Sequence, residues 1–128
     1  MITVELPWPN RILSPNTRGC WQTKLRAKSG AKEAGYWLGL QHHGQLQGVD
    51  VHAWLTFYPP DRRKRDLDNL LASLKPDIDG LCEGIGIDDS QIKRVTVEWG
   101  DMLPKEGKVI LHMAEMQPDD VARMFGVG

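Results

Sequence analysis

Cysteine is scarce: Cys20 and Cys82 are the only two among 128 residues. That excludes a disulfide framework, and their separation excludes zinc-ligand spacing. The four histidines, His42, His43, His52 and His112, form no zincin pattern and are assigned to a helix surface or strand faces. No apolar run approaches the roughly 18 residues of a membrane helix, so no membrane partner is expected. The opening MITVELPWPN lacks the basic start and apolar stretch of a secretory signal, and a reducing cytoplasm, bacterial or of a phage-infected host, is the expected location. There is no internal repeat and no low-complexity segment. What remains, 41% hydrophobic and 26% charged residues, is the composition of one folded domain and not of a disordered chain.

The net charge of −1 hides an asymmetry. Residues 1–65 hold 10 basic and 4 acidic residues; residues 66–128 hold 6 basic and 13 acidic. The boundary falls inside DRRKRDLDN, where four consecutive cations run into the two aspartates of DLD. Charge separated in this way suits a polyanion on one surface and divalent cations on another. The plainer alternative is charge scattered over a solvated surface.

Alternation at Ile2, Val4 and Leu6 predicts a first strand, ended by Pro7 and Pro9. Asn10–Gly19 reads as a loop. A helix is expected from about Trp21 to Gln45, with Ala31, Ala34, Trp37 and Leu38 at helical spacing and Gly30, Gly35 and Gly39 weakening it. Val49–Tyr58 carries apolar bulk on both faces and predicts a central strand. Trp54 and Tyr58 on it either join an interface or pack under a helix. Leu67, Leu70, Leu71, Leu74, Ile78 and Leu81 then fall at helix spacing, with Pro76 forcing a kink or a break near Lys75. Two strands follow, around Val95–Trp99 and Lys108–Ala114, joined by a turn at Gly100–Gly107 and expected to form a hairpin. The order β-α-β-α-β-β predicts an α+β fold with a small mixed sheet backed by helices. Residues 1–116 form the domain and 117–128 a tail, a short helix or loose.

The densest constellation is Asp61-Arg62-Arg63-Lys64-Arg65-Asp66-Leu67-Asp68-Asn69. In extended backbone residues two apart point the same way, whereas on a continuous helix they lie about 200° apart. Asp66 and Asp68 therefore converge only if the segment is extended or turning, with the helix starting near Asp68. A simple capping role is the competing explanation for Asp68. Asp88-Asp89, in GIGIDDSQI, forms a second acidic pair whose competing explanation is a turn. Lys75 lies two turns past Asp68; alternatively it is a plain surface lysine. Carboxylates clustered without Cys or His describe a hard-cation site for Mg²⁺ or Mn²⁺. Arg62, Arg63, Lys64 and Arg65, with Arg18, Lys24, Arg26, Lys28 and Lys32 upstream, would hold a phosphate backbone while the ion acts on one phosphodiester.

Through LPWPN, SPNTR, FYPPDRRKRDLDNL and GIGIDDSQI, in that order, the chain resembles the RusA family of Holliday-junction resolvases, common in phages and prophages. The resemblance spans about Met1 to Met116. It implies a homodimeric endonuclease that nicks four-way DNA junctions symmetrically with Mg²⁺ or Mn²⁺. It makes Asp66, Asp68 and Asp89 the catalytic, metal-binding aspartates, with Asp88 as a secondary ligand. Arg65 matches the basic residue before the family's DLD, and Asn69 the asparagine after it. The family often carries an essential lysine four residues past the second aspartate; Ala72 stands there, and Lys75 lies three residues further on nearly the same helix face. The expected function is junction resolution in recombination and repair, leaving 5′-phosphate and 3′-hydroxyl ends. A non-catalytic branched-DNA-binding module is the alternative. A phosphatase or sugar transferase built on DxD is disfavoured by Leu70 and by the short chain.

Overall fold

The computed structural model describes residues 1–15 and 18–117; apart from Gln117, the expected tail 117–128 lies outside the described residues. The order is β1 (Ile2–Pro7), α1 (Trp21–Leu40), β2 (Val51–Tyr58), α2 (Leu67–Ser73), α3 (Lys75–Ile85), β3 (Ile92–Trp99) and β4 (Lys108–Glu115). Short 3-10 turns stand at Arg11–Leu13 and Asp89–Gln91. Four strands form one mixed sheet in the order β1-β4-β2-β3, making this a small α+β domain.

Period-2 burial fixes the faces. Ile2, Val4 and Leu6 of β1, Val51, Ala53, Leu55 and Phe57 of β2, and Val109, Leu111 and Met113 of β4 all point into the core. Against that face pack Leu74, Leu81, Cys82 and Ile85, with Leu67, Leu70, Leu71 and Ile78 partly covered. Trp54 and Tyr58 point the other way, so they do not pack under a helix. On that outer face Trp54 stacks between His52 and His112, at centroid distances of 4.9 and 5.1 Å.

The expected hairpin is absent. β3 pairs parallel with β2, while β4 lies antiparallel between β1 and β2. The connection after Trp99 crosses the end of β2 instead of turning back. Gly100, Leu103 and Lys105 donate backbone hydrogen bonds to the carbonyls of Phe57, Pro59 and Pro60. Burial accounts for the difference: Val109, Leu111 and Met113 are fully buried and need a central position, whereas Val95 and Trp99 remain exposed at the sheet edge.

Helix α1 ends at Leu40, short of the expected Gln45, and it does not bury the expected apolar stripe. Trp37 and Ala34 are exposed. The buried residues of α1 are Gly35 and Gly39, set against Gly80 and Gly84 of α3. A methyl group on any of these four would strike backbone: the Asp77 carbonyl for Gly35, Leu81 for Gly39, Lys32 for Gly80 and Tyr36 for Gly84. The glycines that weaken a helix by propensity here allow two helices to touch backbone to backbone.

The break anticipated at Pro76 is present. Helix α2 ends at Ser73 and α3 starts at Lys75, with Pro76 in its first turn, where no amide hydrogen is needed. One polar residue of α3 is buried: Asp77, only 6% exposed. Burial pushes its carboxyl up to about 6. A carboxyl raised above its unfolded value contributes full stability at low pH and loses it as the pH rises through about 6. Asp77→Asn should therefore match the native protein near pH 4 and exceed its stability at pH 7 by about 2 kcal/mol. Thermal melts of both proteins across pH 4–7 check this; parallel curves would contradict it.

Candidate active site

The site is assembled where β2 hands over to α2. After Pro59-Pro60 the chain cannot continue the ladder, and residues 61–66 run without regular structure to the helix. Asp61 organises this loop. Its carboxylate accepts the Arg63 backbone N–H at 2.9 Å and the Arg65 guanidinium at 2.7 Å. The Arg63 amide chiefly, then Arg65, hold the Asp61 carboxyl below the usual range. The Arg65 side chain is mostly buried and also lies over the Trp8 ring, 5.2 Å from its centroid. Arg65 is thus a strut between the β1 end and the β2–α2 loop, while Arg62, Arg63 and Lys64 are exposed.

Asp66, in extended backbone, is the N-cap of α2, and its carboxylate accepts the Asp68 backbone N–H at 2.9 Å. The sequence placed the helix start near Asp68; the structure gives the cap to Asp66 and puts Asp68 in the first turn. The two carboxylates consequently serve different spaces. Asp68 lines an open cavity of about 430 Å³ together with Ala72, Lys75, Asp79 and Asp89, above a wall of Leu55, Leu71 and Val95. Asp66 lines a neighbouring groove.

The cavity joins three separated parts of the sequence. Asp68 comes from α2, Lys75 and Asp79 from α3, and Asp89 from the turn before β3. Lys75 Nζ lies 3.4 Å from the Asp79 carboxylate. Both are substantially exposed, so this ion pair is weak and its ammonium remains exchangeable. Asp79 was not anticipated; its four-residue spacing from Lys75 was the available signal. Ala72, Lys75 and Asp79 also border a second cavity reached by Lys28 and Lys32 of α1. Arg18 and Lys24 line neither of these cavities.

Asp88 lies outside the cavity and has a structural task. It caps the turn, accepting the Ser90 backbone N–H at 3.0 Å, while its own N–H donates to Gln91 Oε1 at 3.0 Å. The Ser90 amide chiefly holds the Asp88 carboxyl below its ordinary range. Gln91 Nε2 in turn donates to the carbonyls of Leu46 and Val49. This network fixes the DDSQ turn and so the position of Asp89.

Among the described residues no group of three or more His, Cys, Asp or Glu side chains could hold a metal ion. Three carboxylates, Asp68, Asp79 and Asp89, line the shared cavity; Asp79 is paired with Lys75, and Asp68 and Asp89 offer hard carboxylate oxygens. Two such ligands, completed by substrate phosphate oxygens and water, match the habit of Mg²⁺.

No protein-family model matches the chain. A relative from Xylella fastidiosa (strain Temecula1 / ATCC 700964), described as an uncharacterized protein, is 40% identical over 95 residues, which cover 70% of this chain and 61% of the relative. The chain thus spans less than two thirds of that protein's length.

Capping and cation binding separate by mutation. Asp66→Ala should lower stability by about 1 kcal/mol through loss of the cap. Asp68→Asn should leave the melting temperature nearly unchanged. Equal destabilisation by the two substitutions would contradict this division.

Proposed function

We propose that the protein is a metal-dependent, structure-selective DNA endonuclease of RusA type that resolves four-way junctions. The observation that carries this reading is the shared cavity of Asp68 and Asp89, which the resemblance selected from distant parts of the chain, with Lys75, three residues past the family's lysine position, beside them. The exposed cations Arg62, Arg63 and Lys64 border the same helix start.

In this reading Asp68 and Asp89 would hold one Mg²⁺ or Mn²⁺ ion. When bound, the ion would acidify an attacking water and offset charge on the phosphate. Lys75 exchanges Asp79 for a phosphate oxygen and steadies the scissile group. The water oxygen bonds to phosphorus in line as the bond to the 3′ oxygen breaks; the water gives up one proton to solvent, and the departing 3′ oxygen takes one from solvent to become the 3′-hydroxyl. Arg63 and Lys64 hold the adjoining backbone by charge. Asp66 shapes the site by capping α2 and holding the Asp68 amide. Residues 1–116 make up the endonuclease unit. A homodimer would present two equivalent sites to two equivalent strands of a junction.

Three results are expected. A synthetic four-way junction is nicked symmetrically in Mg²⁺ and not in EDTA, while linear duplex is spared. Asp68→Asn loses cleavage, by at least about 100-fold as expected for loss of charge stabilisation at the reacting centre, and keeps junction binding. Lys75→Ala loses most activity, and adding Ala72→Lys restores part of it, since both positions border the same cavity. Junction binding without nicking by the native protein, in both Mg²⁺ and Mn²⁺, would instead favour a non-catalytic module.

A further inference from the structure

The sheet face turned away from the helices has a hollow of about 480 Å³ at one end. Its floor is His52 and Trp54 of β2, one side is Arg94 and Thr96 of β3, and the other is the end of β4 with Glu115 and Gln117. The floor is a formed surface. Thr96 Oγ1 meets the His52 ring and Thr3 Oγ1 the His112 ring, each at 2.9 Å, so the two imidazoles are fixed on either side of the Trp54 indole. Trp54 itself stays only half-buried.

The chain leaves β4 at the rim of this hollow. Met116 is buried, and its N–H donates to the Asp50 carbonyl at 2.9 Å, which pins the backbone beside the start of β2. Gln117, the next residue, already lines the hollow. Pro118-Asp119-Asp120-Val121-Ala122-Arg123-Met124-Phe125 follow in the sequence. Strands in a sheet lie about 4.8 Å apart, so crossing from β4 over β2 to β3 takes about 10 Å. Three extended residues span about that distance. The reach of the chain therefore brings Asp119 and Asp120 level with Arg94. Arg123 complements Glu115, the acidic residue of the rim. Val121, Met124 and Phe125 recur at the spacing of one helix face, an apolar set matched to the indole.

We propose that residues 118–125 fold back over this hollow, with Asp119 and Asp120 against Arg94 and with Val121, Met124 and Phe125 on Trp54. The occupant of the outer face at this end is the chain's own C-terminal segment, and an interface between two copies lies elsewhere. The inference does not rest on the endonuclease reading.

The test is a nitroxide on the segment, read by NMR. Val127→Cys in a Cys20→Ser background carries one reactive thiol, because Cys82 is buried. In the isotope-labelled full chain the Trp54 indole N–H and the amides of His52 and Thr96 should broaden and recover when ascorbate reduces the nitroxide. Amides of Asp68 and Lys75, on the other side of the sheet, should stay sharp. Arg94→Glu and Phe125→Ala should each remove most of the broadening at Trp54. An equal mixture of isotope-labelled protein without nitroxide and unlabelled protein with it should show none. Sharp signals at Trp54, His52 and Thr96 in the spin-labelled chain would overturn the proposal. So would broadening that survives both substitutions. Broadening as strong in the mixture would also overturn it, since a second copy would then supply the segment. Nuclease activity enters none of these readings, so loss of one idea leaves the other standing.

Discussion

Pro76 has no amide hydrogen, and the site is arranged around that fact. A continuous helix from Leu67 to Ile85 would need the missing donor in mid-helix, at a cost of about 3 kcal/mol or more. The chain ends α2 at Ser73 instead and restarts at Lys75, leaving Pro76 where a helix tolerates it. Two short helices, interrupted only at Leu74, replace one long one. Asp68 on the first and Lys75 with Asp79 on the second then border the same cavity.

The other constraint is the contact between α1 and α3. Four glycines let the two backbones meet, and α1 brings Lys28 and Lys32 to the cavity next to Lys75. The charge asymmetry along the sequence is thereby folded into adjoining spaces. Carboxylates from residues 68, 79 and 89 collect in one cavity, while cations from residues 11 and 63–65 line a groove that meets different residues of α2. Of these two spaces Asp66 lines only the groove, and its orientation follows from backbone geometry: an N-cap in extended conformation turns its side chain back toward the helix amides.

Much of this was legible from residue pattern. Ile2, Val4 and Leu6, and the run Val51–Phe57, alternate with period 2 and are buried as that pattern requires. The Pro76 break followed from proline chemistry. Strand partnering was not legible: Val95–Trp99 and Lys108–Ala114 both alternate, and only burial across the whole sheet makes one an edge and the other central. Helix α1 misled because its core contact is made by glycine, which carries no hydrophobic signal; its Trp37, which does, is exposed. At the site, spacing placed Asp68, Asp89 and Lys75 among the candidates. It missed Asp79, whose ion pair with Lys75 appears only once the helix register is known. It also treated Arg65 as one cation among four, because its bond to Asp61 and its stacking on Trp8 depend on the end of β1 lying beside the β2–α2 loop.

The central claim is that Asp68 and Asp89, 21 positions apart in the sequence, hold one divalent cation between them. Paramagnetic broadening of backbone amide signals on titration with Mn²⁺ tests this directly, without DNA and without turnover. The account predicts that the signals around Asp68 and Asp89 broaden together at the same low Mn²⁺ concentration and that both recover when excess Mg²⁺ is added. Broadening at only one of the two, or at neither, would contradict it.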